Sequence, residues 1–533
     1  MHFGSRRLRE LRGAQLKRTY DIAVVGSGFA GSLMAMIARR MGHSVVLLER
    51  GRHPRVVVGE SSTPLSNLLL EDLTSRYNLP RLSPLSKWGS WQTHFPKIPC
   101  GLKRGFTFYH HQLHYPDAPD PLHLNQLLVA ASPHDRIADT HWYRADFDEL
   151  LVREAQAMDV EYVDEVKLDR FTDQGNAVLL EGKRDSCNIA FHARFVVDAT
   201  GPRGFLHHAL HLPEAALPNY PSTQALYGHF SKVRRLDEAP GYSGTETPPY
   251  PIDDAAVHHI FDGGWIWVLR FNNGITSAGV AATDKIADRL HLADGEAAWK
   301  RLIYSIPALK EQFADARAER PMTHVQRLSF LSGTICGERW AMLPSAAGFV
   351  DPLLSTGFPL TLLGISRLSE ILVHDWSSAR FQTRLQHYAT QTTDELLATS
   401  RLIASLYANM NDFPVFTALS LLYFAAASYS ETARRLKKPQ LAASFLLHDH
   451  PSFGLASRKL FERALHVHTR QKSDRLIEEI LKTVEPIDVA GLCSPERRNW
   501  YPVDPDDLFR SAHKVGATQD EITDLLLSCG FQQ

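Results

Sequence analysis

The apolar positions near the start of the chain fall into two short runs with a helix-compatible segment between them. Residues 22–25 form an apolar, β-branched run that predicts a buried strand. Gly26, Ser27, Gly28, Phe29, Ala30 and Gly31 follow, then a segment with helical spacing, then a second apolar run ending at Glu49. Residues 65–77 read as a helix, and residues 81–115, rich in Trp, Phe, Tyr, Pro and Gly, as strands and loops. The pattern predicts helix over 121–158, short strands over 160–171 and 177–181, and a strand running into a turn over 195–201. Several strands are expected over 224–282 and strand, loop and helix over 340–375. From 378 onward the spacing is mostly helical. The apolar stretch 413–429, broken by Pro414 and several serines, suits a buried helix or the wall of an apolar tunnel better than a membrane span.

The opening unit carries recognisable chemistry. Gly26 lets the chain turn off the strand, Gly28 removes a side chain where a pyrophosphate approaches, and Gly31 lets helix and strand pack closely. The helix N-terminus then faces the phosphates with free N–H groups. Glu49, about 20 residues further on, is placed to accept a ribose hydroxyl, with Arg50 beside it. A dinucleotide, FAD or NAD, is the predicted ligand. The strand-turn at 195–201 and the strand-loop-helix at 340–375 come much later, so the chain leaves the nucleotide domain, builds a second sheet and returns.

Composition narrows the setting. The chain has 533 residues, 44% hydrophobic and 22% charged, with net charge −1, which favours neither nucleic acid nor an anionic membrane. Five cysteines show no metal-binding spacing, which fits a reducing, cytoplasmic setting. Residues 1–19 are expected to be a flexible basic arm, carrying Arg6, Arg7, Arg9, Arg12, Lys17 and Arg18 against Glu10, without the apolar core of a secretory signal. Histidines 110, 111 and 114, and 448 and 450, lack a ligand spacing that would complete a metal site, and no metal is assigned. No integral membrane span is expected.

Four later motifs resemble the FAD-dependent monooxygenase superfamily and, within it, the flavin-dependent halogenases. Residues 346–357 (AAGFVDPLLSTG) resemble the segment that passes along the flavin, and Asp198, Ala199, Thr200 and Gly201 resemble a second FAD motif. Gly59, Glu60 and Ser61 resemble the halogenase G-E-S motif, and Trp265 and Trp267 begin a W-x-W-x-I-P motif that here ends in Leu269 and Arg270. The resemblance implies an α/β fold: a Rossmann-like FAD domain of the glutathione-reductase type, similar to p-hydroxybenzoate hydroxylase. It implies a core over 20–375, with an inserted substrate sheet (about 81–115 and 215–335), and a mainly helical region over 376–533.

It also implies roles. FAD is expected on Gly26, Gly28, Phe29, Ala30, Gly31, Glu49, Arg50, Ser61, Arg144, Asp198, Gly201, Ser345, Gly348, Asp351, Pro352 and Gly357. Chloride or bromide is expected at the Ser355, Thr356 and Gly357 turn. In these enzymes a flavin hydroperoxide oxidises halide to hypohalous acid, which a lysine on a strand relays to substrate. Lys87 is the expected relay, with Lys97 and Lys103 as competitors, and Glu60 is the second expected catalytic residue. A separate NAD(P)H-dependent flavin reductase would supply FADH2. Two departures from the family stand out: Pro344 and Ser345 replace Gly-Asp, implying a more loosely held flavin, and Leu354 replaces the glutamate of tryptophan halogenases. The second departure points to phenols, pyrroles or carrier-bound aromatics. A monooxygenase, a geranylgeranyl-reductase-like oxidoreductase and a flavin-binding scaffold without turnover are the alternatives.

Overall fold

The computed structural model describes residues 19–115, 120–238, 246–467 and 469–531. The expected basic arm, apart from Thr19, lies outside these residues. Strand β1 (Thr19–Val25) enters the interior, helix α1 (Phe29–Arg40) follows the glycine turn, and β2 (Val45–Leu48) returns parallel to β1. Residues 29–38 of α1 are all buried, and its small residues, Ala30, Gly31, Ser32 and Ala35, let it lie close to the strands. Helix α2 (Pro64–Arg76) starts where Thr63 accepts a hydrogen bond from the Ser66 N–H and proline occupies the first turn.

Two short strands, β3 (Cys100–Lys103) and β6 (Asp139–Trp142), pair antiparallel into a separate ribbon. Between them lie β4 (Gly105–His110) and β5 (Gln126–Ala130), while helix α3 (Arg144–Ala157) and β7 (Glu161–Val163) follow. Strand β8 (Cys187–Asp198) lies parallel to β1 on the side opposite β2. The nucleotide sheet is completed by β7 beside β2 and, after a long excursion, by β13 (Trp340–Met342) beside β8. The chain therefore does return to this sheet.

The excursion builds a second sheet from β9 (Thr223–Ser231), β10 (Ala256–Phe261), β11 (Gly264–Arg270) and β12 (Ile275–Thr283), joined to β4 and β5. Helices α4 (Gly357–His374), α5 (Phe381–Tyr407), α6 (Phe413–Arg435), α7 (Phe453–Ala464), α8 (Arg470–Val484) and α9 (Gln519–Ser528) form most of the remainder. Among the described residues, Leu353–His374 and Phe413–Arg435 are long and apolar enough to cross a membrane, yet both are mostly buried inside the protein. They are core helices.

Two local expectations need correction. Helix was expected over 121–158, but residues 126–142 hold β5, a short 3-10 turn and β6, and only Arg144–Ala157 is an α-helix. Pairing of β5 with β4 and of β6 with β3 overrides the local pattern. Residues 81–115 contain a helix, Trp88–His94, as well as strands. The C-terminal region is mainly helical as expected, with Trp500–Tyr501 adding a short strand to β5.

Candidate functional site

The glycine turn is shaped as the sequence suggests. Gly26 has φ 98°, and a Cβ there would lie 2.6 Å from the Ala199 carbonyl oxygen; a Cβ on Gly31 would lie 1.8 Å from the Gly26 oxygen. Neither position admits a side chain. Gly28 differs. Its nearest neighbour is the Arg144 guanidinium, 3.3 Å from the Cβ position, so the backbone opens toward a cation at the start of α1. Phe29 and Ala30 are buried, and the Arg144 guanidinium lies 5.1 Å from the Phe29 ring centroid.

Arg144 is buried and makes two 2.8 Å hydrogen bonds to the Asp148 carboxylate and one of 3.0 Å to the Gly59 carbonyl. Three elements thus fix the guanidinium beside Gly28. At the end of β2, Glu49 is buried and accepts hydrogen bonds from Ser27 N and Oγ, both 3.0 Å, and from Gly51 N at 2.9 Å. Burial works against its charge, but Arg55 and these hydrogen bonds outweigh it and hold its pKa below the usual value. A charged carboxylate at this point suits a ribose hydroxyl. The open space at Gly201 and Gly357, where a Cβ would meet nothing within 4 Å, fits a cofactor lying along both segments. Gly357 opens α4 behind two left-handed residues, Leu354 (φ 64°) and Ser355 (φ 55°), and Thr356 beside it is buried. Left-handed non-glycine residues cost free energy and cluster at ligand sites.

The family model of the FAD dependent oxidoreductases matches residues 21–337. The chain belongs to this family. FAD is accordingly its cofactor. Among its relatives, the protein is 26% identical to the tetracycline 7-halogenase of Kitasatospora aureofaciens over 420 residues, 77% of this chain and 74% of that one. It is also 26% identical to monodechloroaminopyrrolnitrin halogenase PrnC of Pseudomonas fluorescens over 76% of this chain and 70% of that one. Its fold resembles the crystal structure of halogenase PltM, with TM-score 0.79 and 23% identity over 90% of this chain and 99% of that one. The resemblance to flavin-dependent halogenases and the Rossmann-like FAD fold are both borne out.

The lysine expectation needs correction. Lys87 precedes the helix Trp88–His94, its Nζ lies 2.7 Å from Glu71, and its side chain is 34% exposed. It is a partly solvated ion pair and not on a strand. Lys103, its competitor, is on β3 and fully buried. Its Nζ donates to Ser61 Oγ at 3.0 Å and to the Ser62 carbonyl at 2.5 Å, and lies 3.8 Å from the Phe106 ring centroid. A β-bridge between Ser61 and His141 of β6 holds the 59–61 segment against the ribbon. Burial pulls the Lys103 pKa down and pushes that of Asp139, its register partner across the ribbon, up.

Other expected residues turn inward. The Glu60 carboxylate is buried and 2.8 Å from His229 Nε2 on β9, tying the motif to the substrate sheet. Asp198 accepts from Thr200 N and Oγ1 and from Leu206 N, so its carboxylate shapes its own turn. A Cβ on Gly348 would lie 2.7 Å from Leu396, so this glycine serves the contact with α5. Arg50 is exposed, while Ser345 and Pro352 are partly buried. Asp351 is buried and accepts from Tyr220 and Tyr407, both at 3.0 Å, and from Leu353 N. Burial raises its pKa to about 6. Trp265 on β11 donates to Tyr407 at 3.2 Å, and Trp267 donates to Ser277 at 3.4 Å. The tryptophan motif is thus a packed core strand, joined through Tyr407 to the loop that carries the expected halide turn.

Beyond Lys103 lies a cavity of about 190 Å³. Phe106, Asp139, Pro359, Tyr423 and Phe424 line it, together with residues between 489 and 531. An engineered apolar cavity of roughly 150 Å³ holds benzene, so one aromatic ring fits here. Sequence reasoning missed Asp139, His229, Tyr220 and Tyr407. Each acts through a partner distant in sequence, and only the strand position of Lys103 could have been preferred over Lys87 in advance.

Proposed function

We propose that this protein is an FADH2-dependent halogenase that installs chlorine or bromine on an electron-rich aromatic ring. The observation that carries the reading is the placement of Lys103. Its ammonium touches Ser61 of the motif expected beside the flavin and, on its other side, Phe106 of the cavity wall. Bound reduced FAD, with oxygen and halide, would supply hypohalous acid. Lys103 then holds that acid by hydrogen bonding and delivers its halogen to a ring in the cavity.

Halide is proposed at Ser355, Thr356 and Gly357, where α4 begins without a side-chain cap and Gly357 adjoins open space. Glu60 is proposed as a positioning residue: through His229 it holds the segment whose Ser61 accepts from Lys103. Arg144, Glu49 and the glycine turn are proposed to bind the FAD pyrophosphate and ribose. Gly201, Ser345, Gly348, Asp351 and Pro352 would contribute backbone and loop shape around it. A separate NAD(P)H-dependent flavin reductase is the proposed source of FADH2, and the substrate is a phenol, a pyrrole or a carrier-bound aromatic. The relatives' names, which include a 1H-pyrrole-2-carbonyl-[peptidyl-carrier protein] chlorinase of Pseudomonas fluorescens strain Pf-5, agree with this range.

The test supplies reduced FAD, oxygen and bromide to the purified protein with a panel of phenols and pyrroles. Brominated product that disappears in Lys103→Met and persists in Lys87→Met is the expected result. NADH-driven hydroxylation without halide or reductase would instead place the chain among the monooxygenases.

A further inference from the structure

Asp139 stands out in the cavity wall. It is buried at the start of β6, directly across the ribbon from Lys103. Its Oδ1 accepts a 2.7 Å hydrogen bond from Asn67 Nδ2 of α2, but its Oδ2, also buried, has no hydrogen-bond partner. A buried carboxylate oxygen left without a donor is costly and rare. The Lys103 ammonium makes its hydrogen bonds to Ser61 and Ser62 and none to this oxygen. Nor does Arg435 of α6 donate to it; its guanidinium is 2.8 Å from Glu431. Tyr423 completes the set of polar groups facing Asp139 from α6. Asp139 lines the cavity together with Phe106, Tyr423 and Phe424.

We propose that Asp139 is the catalytic base of the proposed halogenation, its free Oδ2 taking the hydrogen bond and then the proton of a phenolic hydroxyl held in this cavity. The inference rests on the halogenase reading and names its substrate class. As the carbon–halogen bond forms, the oxygen–halogen bond of hypohalous acid breaks. The departing hydroxide takes a proton from the Lys103 ammonium and leaves as water. The phenolic proton passes to Asp139, so the ring becomes a neutral halodienone rather than a cation. The ring proton is then lost to the Lys103 amine, and Asp139 returns its proton to the oxygen, restoring the aromatic phenol and the charged pair. The net change is Ar–H plus HOX to Ar–X plus water.

The chemistry of the pair suits such an exchange. Burial lowers the lysine and raises the aspartate, so little free energy separates the charged pair from the neutral one. The working form holds one proton between the two groups. Glu431 favours the protonated aspartate, while Lys103, Arg435 and the Asn67 hydrogen bond favour the ionised form.

The experiment compares 4-methylphenol, which stays protonated throughout the neutral range, with 4-methylanisole, its methyl ether, in equilibrium dialysis against the FAD-loaded protein. Binding is read without turnover, and bromination is read with reduced FAD, oxygen and bromide and the same phenol and methyl ether. Wild type should bind and brominate the phenol in preference to the ether. Asp139→Asn should lose roughly 10- to 100-fold of the phenol affinity, leave the ether unchanged and abolish the preference in turnover. In wild type alone, phenol affinity should fall as the pH drops through about 7, where Asp139 takes up its proton, while ether affinity stays level. This holds the proposal open to refutation should the variant not fold. Equal losses for phenol and ether, or a pH-independent phenol affinity, would overturn it. Asp139-dependent phenol binding without any bromination would overturn the halogenase reading and leave the anchor standing. Bromination whose phenol preference survives Asp139→Asn would do the reverse.

Discussion

Lys103→Met keeps the unbranched side chain, one atom shorter, and removes its charge, and it separates a functional lysine from a structural one. Burial displaces the Lys103 pKa from 10.5 to about 7. Holding the ammonium in this interior therefore costs stability near neutrality, of the few-kcal/mol size typical of a buried charge. The folded pKa lies below the unfolded one, so this cost is present in full below about pH 7 and fades as the pH rises toward 10.5. Methionine carries no such cost, and Asp139, already displaced upward, can take a proton once its partner is gone. The expected result is a protein more stable by about 1–4 kcal/mol in urea denaturation at pH 6.5, with bromination down by about 10²–10⁴-fold. FAD binding, followed by fluorescence titration, should be unchanged. A variant that is destabilised by a similar amount would make Lys103 a structural residue, and one that brominates like wild type would remove it from the reaction.

Four further outcomes follow from the geometry. Gly31→Ala would put a Cβ 1.8 Å from the Gly26 oxygen, so it should abolish FAD binding and lower the yield of folded protein, as judged by circular dichroism. Gly357→Ala meets nothing within 4 Å; it should leave stability within about 0.5 kcal/mol but raise the bromide KM, and an unchanged KM would remove the halide from this turn. Tyr407→Phe deletes one of two tyrosine donors to buried Asp351 and should cost about 1–3 kcal/mol in denaturation. That loss should shrink as the pH falls below about 6, where Asp351 protonates. Glu49→Gln removes the charged acceptor at the end of β2 and should weaken FAD binding about tenfold, read by the same fluorescence titration.

What was legible in the sequence is what local chemistry enforces. The glycine turn could be read because steric exclusion at Gly26 and Gly31 leaves no other residue type, and Glu49 because it ends the next strand at a fixed distance. The long buried helix at Phe413–Arg435 announced itself by its apolar run and does form a cavity wall. The lysine was misplaced because Lys87 sits at the expected spacing in the sequence, whereas the selection is made by burial. Lys103 earns its environment from Ser61, Phe106 and Asp139, which only the pairing of β3 with β6 brings together. The same pairing undid the helix expected before residue 143. Strands of four or five residues carry too little periodic signal to compete with helical spacing until their partners are known. Glu60, Asp198 and Asp351 show the limit of motif reading: the motifs are present, but their carboxylates are spent on His229, Thr200 and the two tyrosines.

The wall of the cavity draws on Thr63 and Pro64 at one end of the chain and on Leu526, Cys529 and Phe531 at the other. Contacts so distant in sequence form late, after nearly the whole polypeptide has left the ribosome. The nucleotide sheet, by contrast, is complete once β13 has emerged. A nascent chain would therefore hold its flavin sheet before this cavity is lined. If the proposed oxidant forms here, a chain cut before residue 519 should first show itself by oxidised methionines.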